Sequence, residues 1–280
     1  MRLLALGVLA VCAVSATACG GSGGGSAAPV AAAAVKSSHA GGVKVDISVA
    51  FSVGGLPSGA VTGTGTFDRN SGEMTIDMSN LMQVLPVPTG SGRGVEEIFR
   101  HENGDPVIYM KIPFLAGQLP RGKSWVRVDL QEAGSSMGLD INRLLGQSGS
   151  NPTQTLDLLR AAGKTTKVGP DIVGGVAVTQ YHTVVDLKKA LTLQGEGDSV
   201  RNLLASGAAP MFPVDVWIGD KDGLVHQIRL TQTGTANGRS VSTLTTMRLT
   251  HWGTTVSVAA PPASEVFDAT SLGASKARKA

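Results

Sequence analysis

Cysteine is nearly absent from this chain. Cys12 and Cys19 are the only two among 280 residues, and both precede the main body. The body therefore has no disulfide framework and no thiolate metal site. Aromatic residues make up only 4%, too few for the stacking platforms on which single-stranded nucleic acids are held. An excess of one charge is also missing, with 24 Lys and Arg against 21 Asp and Glu. The one basic cluster, Lys276, Arg278 and Lys279, is shorter than the charge blocks of interaction tails, so no nucleic-acid partner is expected. After the N-terminal region no apolar run reaches the length of about 18 residues that marks a membrane-spanning helix. Glycine is plentiful, at 37 residues, and so are segments in which apolar and polar residues alternate.

The N-terminus reads as an export signal. Arg2 supplies a positive charge, Leu3 to Val14 an apolar stretch too short to span a bilayer, and Ser15-Ala16-Thr17-Ala18 small residues directly before Cys19. Ala16-Thr17-Ala18-Cys19 resembles a bacterial lipobox, with Ala16 where Leu is commonest. Cys12 is a poor rival because Val11 is too large for the position before the cut. The expectation is a signal peptide over 1–18 and a lipid on Cys19, which anchors the chain to the extracytoplasmic face of the cell membrane. Gly20 to Ser26 is almost all Gly and Ser, and Ala27 to Ala34 is mostly Ala with Pro29. Residues 19–36 are accordingly expected to act as a flexible tether.

Beyond the tether the chain reads as strands with a few helices between them. Val45, Ile47, Val49, Phe51 and Val53 fall on one face of a strand over Lys44 to Val53, opposite Lys44, Asp46, Ser48 and Ser52. Val61 to Phe67 and Met74 to Met78 pair as a hairpin about Asp68-Arg69-Asn70-Ser71-Gly72. Further strands are predicted over Pro106 to Ile112, Ser124 to Leu130 and Val176 to Leu187. Val214 to Ile218 and Leu224 to Leu230 form a second hairpin, and Ser240 to Thr250 closes the sheet. Helices are predicted over Leu139 to Leu145, Thr155 to Ala162 with Gly163 as its stop, Leu187 to Leu193, and Ser199 to Ser206. Strands with inserted helices argue for an α+β fold with a large antiparallel sheet. Such a sheet either fills its apolar face with helix side chains or curls and leaves a cavity, and the pattern leaves both open.

Catalytic and metal motifs fail on context. Gly134-Ser135-Ser136-Met137-Gly138 matches G-x-S-x-G, with Asp186 and His226 downstream, but a nucleophile elbow needs a parallel βα sheet. Gly117 to Ser124 matches a phosphate loop in letters, yet the segment after it alternates as a strand where a helix is required. The five histidines, His39, His101, His182, His226 and His251, are scattered without metal-ligand spacing. Asp68-x-Asn70-x-Gly72 imitates the start of a calcium loop, but Ser79 stands where a bidentate Glu is needed. Both this stretch and Asp220 to Gly223 suit turns. No catalytic residue, no metal and no cofactor are expected.

Four stretches in order carry a family resemblance. They are Trp125-Val126-Arg127-Val128-Asp129-Leu130; Leu156-Asp157-Leu158-Leu159 through Gly169, Gly174 and Gly175 to Tyr181-His182-Thr183-Val184-Val185-Asp186; Pro213-Val214-Asp215-Val216-Trp217-Ile218-Gly219-Asp220 with Gly223-Leu224-Val225 and Ile228-Arg229-Leu230; and Val256, Val258, Pro261-Pro262 and Glu265-Val266. Behind a lipobox, this order resembles the LppX/LprG-type lipoproteins of mycobacteria and their actinobacterial relatives, over roughly Ser37 to Asp268. The resemblance implies a strongly curved antiparallel half-barrel sheet with helices on its concave face, an architecture shared with the LolA and LolB carriers. It also implies a hydrophobic cavity for acyl chains. The partners would be a lipid or glycolipid ligand, the membrane through the anchor, and an envelope transporter. The competing reading is an envelope protein-interaction or stress-sensing module of the same fold without a lipid ligand.

The domain expectation is then a lipid-binding domain over 37–268 and a disordered basic tail over 269–280. Apolar strand and helix positions and adaptable methionines give the cavity candidates: Ile47, Val49, Phe51, Met74, Ile76, Met78, Val126, Val128, Leu144, Leu159, Val216 and Ile228.

Overall fold

The computed structural model describes residues 28–82, 94–130, 151, 153–193, 211–236 and 239–270. Among these residues twelve strands form one sheet. In chain order they are β1 (Gly42–Val53), β2 (Leu56–Phe67), β3 (Ser71–Asp77), β4 (Gly94–Glu102), β5 (Asp105–Lys111), β6 (Trp125–Asp129), β7 (Ala162–Val173), β8 (Val176–Asp186), β9 (Met211–Gly219), β10 (Val225–Ala236), β11 (Arg239–Thr254) and β12 (Val266–Asp268). The α-helices among the described residues are α1 (Ala28–Ser38), α2 (Ser79–Met82), α3 (Gln154–Leu159) and α4 (Leu187–Leu193).

The strand order is β12-β6-β5-β4-β3-β2-β1-β11-β10-β9-β8-β7. Every neighbouring pair is antiparallel except β12, which lies parallel to β6. The sheet is open, with β12 and β7 as its edges. Two meanders, one on each side, meet where β1 pairs with β11 through Val45↔Leu249 and Ile47↔Met247. β11 thus sits at the centre and does not close the sheet as its sequence position suggested. Its two ladders, to β1 and to β10, differ greatly in sequence separation, and alternation carries no record of the longer one.

Turn chemistry fixes the hairpins. Asp68 Oδ1 accepts from the backbone N–H groups of Asn70 at 2.8 Å and Ser71 at 2.7 Å, so the calcium-like letters are an Asx turn. Gly174 and Gly175 have φ of 57° and 83°. A two-residue hairpin turn with both φ positive matches the twist of the strands, and glycine adopts it without strain. Asp222 Oδ1 accepts from the Leu224 N–H at 3.0 Å in the β9–β10 turn.

The tether expectation is corrected over 28–36, where the chain is helix α1. Alanine has the highest helix propensity, and Pro29 sits in the first turn, where a missing N–H costs nothing. Val30, Ala33 and Ala34 are spaced i, i+3, i+4, and all three are buried in the main core. The Ser37 hydroxyl accepts from the Val225 N–H at 2.8 Å, which ties the helix end to β10. The folded body therefore includes Ala28 to Lys36, which the expected boundary at 37 left out.

Its other end shifts too. Ala269 N–H donates to the Arg127 carbonyl at 2.9 Å, and buried Thr270 accepts from the Asp129 N–H through Oγ1 at 3.1 Å. The first two residues of the expected tail are thus fixed to β6, and 271–280 lie outside the described residues. The helix expected to Ala162 ends at Leu159, and Ala162 opens β7. The helices expected over Leu139 to Leu145 and Ser199 to Ser206 lie outside the described residues, as does the G-x-S-x-G stretch.

Candidate functional site: the apolar face of the sheet

Because side chains alternate across a strand, ladder register decides which residues share a face. The chain of partners Val216↔Ile228↔Met247↔Ile47↔Gly63↔Ile76↔Val95 runs across β9, β10, β11, β1, β2, β3 and β4. A second chain, Val45↔Gly65↔Met74↔Glu97↔Met110↔Val126, continues to β6. Val49 and Phe51 follow Ile47 at two-residue steps, and Val128 follows Val126. The structure thus brings Ile47, Val49, Phe51, Met74, Ile76, Val126, Val128, Val216 and Ile228 to one face. Leu159, on α3, belongs to the same core cluster. Met78 stands just past the end of β3 and is half-buried. Leu144 lies outside the described residues.

This face is filled at one end. Val30, Ala33 and Ala34 of α1 and Leu156 and Leu159 of α3 pack with Val43, Val45, Phe67, Phe99, Val216, Ile228 and Leu249. Val216, Ile228 and Leu159 have at most 1% of their surface exposed and belong to this core. Elsewhere on the face Ile47, Val49, Phe51, Val61, Ile76, Met110, Val126, Val128 and Leu230 are half-buried. Of these, Ile47, Ile76, Met110 and Val128 pack against that core.

Two features of this face are absent from the sequence reading. The first is a lane of bare backbone on β2. Gly63 and Gly65 face Ile47 and Val45, and a Cβ on Gly63 would lie 3.0 Å from both Ile47 Cγ2 and Met74 Sδ. The Phe67 ring rests on Gly72, where any Cβ would collide with it. A glycine at period two inside an alternating strand is the signal that could have found this lane. The second is Glu97, the one acidic residue on the apolar face of β1–β6. Burial pushes its carboxyl up to about 7, because a charge among apolar side chains is poorly solvated.

The opposite face carries paired polar groups beside two smaller buried apolar clusters, one of Val107, Tyr109 and Trp125 and one of Val173, Val178 and Trp217. Arg127 contacts Asp268 at 3.0 Å and Glu102 at 3.4 Å, and Tyr109 donates to Glu102 at 2.7 Å. Trp217 donates from Nε1 to Asp171 at 2.8 Å, with the Arg229 guanidinium 4.8 Å from its ring centre. His182 meets Asp215 at 2.8 Å and His226 meets Asp222 at 2.9 Å. Among the described residues no three His, Cys, Asp or Glu side chains gather as a metal site. Among the described residues lie cavities of about 170 and 280 Å³. Ser38, Arg69, His101, Thr153 and Asp157 line the smaller. The larger is lined by outer-face groups, including Lys44, Thr64, Glu73 and Glu96, together with Gly65, Met74 and Glu97. Neither is an apolar chamber.

No family model matches the chain, and no curated protein matches it. Solved structures do. The chain is similar to LprF from Mycobacterium bovis, with 17% identity and a TM-score of 0.42, over 85% of this chain and 99% of that one. It is similar to the lipoprotein LppX from Mycobacterium tuberculosis, with 15% identity and a TM-score of 0.41, over 82% and 98%. A LolA superfamily protein from Nitrosomonas europaea matches with 7% identity and a TM-score of 0.29, over 79% and 90%.

Proposed function

We propose that this protein is a cell-envelope lipoprotein, anchored through Cys19 on the extracytoplasmic face, that holds the acyl chains of a lipid or glycolipid against the apolar face of its sheet. It carries them between envelope sites, receiving them from or passing them to an envelope transporter, and it performs no chemical step. The observation that supports this reading is the half-buried band from Ile47, Val49 and Phe51 across Ile76 and Met110 to Val126 and Val128. A strongly twisted sheet of this many strands curls, and in this reading it curls as a half-barrel with the band on its concave side, beside α1 and α3. Each buried acyl CH₂ is stabilised by about 0.8 kcal/mol, so a plain aliphatic surface suffices and no polar ligand motif is needed.

Native mass spectrometry of protein purified without added lipid should show co-purified acyl ligands, and a fluorescent acyl probe should exchange with them. Empty protein with no probe exchange would favour the second reading, an envelope interaction or sensing module. The helix-filled end of the face is the observation behind that alternative. The anchor has its own test: Cys19→Ala should shift the body from the membrane to the soluble fraction, and full retention at the membrane would contradict lipidation there.

A further inference from the structure

The carboxyl of Glu97 stands where an acyl carrier would place an aliphatic side chain. β4 presents Val95, Glu97 and Phe99 to the apolar face. Val95 and Phe99 are buried. Directly across the ladders, Glu97 faces Met74 on β3 and Met110 on β5. Beyond Met74 lies Gly65, with no side chain, and beyond Met110 lies Val126. Nothing in this row offers the carboxylate a hydrogen bond or a counter-charge.

The charged groups nearby point the other way. By alternation Glu73 on β3, Glu96 and Arg100 on β4, Lys111 on β5, Arg127 and Asp129 on β6, and Lys44 and Asp46 on β1 all belong to the opposite face. Lys111 is already paired with Glu96 at 3.0 Å, and Arg100 is engaged with the Val258 carbonyl. β2 contributes no titratable side chain to the apolar face. Its other titratable neighbour on β4, His101, lies beyond Phe99 at the strand end, exposed, with Nδ1 3.1 Å from the Asn70 carbonyl. The helices packed on the face bring Val30, Ala33 and Ala34 from α1 and Leu156 and Leu159 from α3. Lys36 and Asp157, on those helices, are not part of this cluster.

We propose that Glu97 couples ligand occupancy to protonation. An acyl chain laid across Met74 and Met110 covers the carboxyl, which must then be neutral. Binding takes one proton from solvent onto Glu97, and release returns it. The proposal rests on the acyl-site reading above and adds a direction to it: loading is favoured in acid and unloading in base. Burial already holds the free protein's carboxyl near neutrality, so the coupling operates in a range that an envelope experiences.

The test uses the full chain carrying Cys19→Ala, purified without detergent, and a fluorescent diacylglycerol analogue, which has no titrating headgroup. Affinity is measured from pH 5.5 to 8.5. With one linked proton, affinity should fall up to about tenfold per pH unit once the free carboxyl ionises. Glu97→Gln and Glu97→Leu should bind with little pH dependence, at or above the parent's acid-limit affinity. Circular dichroism at both pH extremes confirms that each variant is folded, and either variant alone suffices. A flat parent profile, or the parent's slope persisting in Glu97→Gln, overturns the proton coupling while leaving the acyl site standing. No probe binding by any of the three proteins at any pH overturns the acyl-site reading, and the coupling with it.

Discussion

Val30→Asp is expected to unfold the protein. Val30 has no exposed surface, and its neighbours are aliphatic and aromatic side chains of α1, α3 and the sheet. Removing the valine forfeits about 1.5–2 kcal/mol of burial. Putting a carboxylate without a partner in its place costs several kcal/mol more, in strain or in forced protonation. A domain with a net stability of about 5–15 kcal/mol does not absorb that sum comfortably. Val35→Asp is the control. It lies on the same helix but is 42% exposed, and its effect should stay within about 0.5 kcal/mol. Thermal and urea melts of the two variants decide the matter. If Val30→Asp melts within a degree or two of the parent, α1 is not part of the core and the flexible-tether expectation for 28–36 returns.

The second large effect is on the pH dependence of stability. Glu97 has a folded-state value near 7 against an ordinary 4.5, so the folded state binds its proton more tightly than the unfolded state does. The stability associated with that proton is fully present below about pH 4.5 and is lost as pH rises through 7. At about 1.4 kcal/mol per unit of pKa, the loss is on the order of 3 kcal/mol by pH 8. Glu97→Gln stays neutral throughout. The two proteins should therefore be close in stability near pH 4.5, and the variant should become the more stable one, by on the order of 3 kcal/mol, at pH 8. Urea midpoints at the two pH values measure it directly. Equal midpoints for both proteins at pH 8 would mean that the carboxyl is well solvated.

Much of the sheet was legible in the sequence because its strands alternate and its turns are chemically marked. β1, the β2–β3 hairpin and the β9–β10 hairpin all have one apolar face and a turn rich in Asp, Asn or Gly. The missed elements lack one or the other. β4 carries Glu97 on its apolar face, and that one residue breaks the alternation that would have revealed the strand. β7 is an edge strand exposed on both faces over most of its length, with Gly169 and Pro170 inside it, so it has no apolar period to read. α1 was hidden by composition. A Gly/Ser run leads into an Ala run, and the spacing of Val30, Ala33 and Ala34 was the sole sign that the second part packs. The candidate face was legible residue by residue, since nine strand positions chosen from alternation share it. Which end of it is filled depends on helix placement across long sequence distances, and alternation is silent on that.

The early start of α1 bears on geometry at the membrane. Only eight residues, Gly20 to Ala27, separate Cys19 from Ala28. However they run, a chain of that length spans no more than about 30 Å. If Cys19 is lipidated, the body works on a short leash. Its effective concentration at the bilayer surface is then set by that leash, not by any affinity of the body for lipid headgroups. If the proposed acyl-carrier role also holds, handover to or from the same membrane becomes a first-order event, independent of how much protein the envelope holds. Exchange with a membrane farther off than the leash reaches requires a partner that comes to meet it.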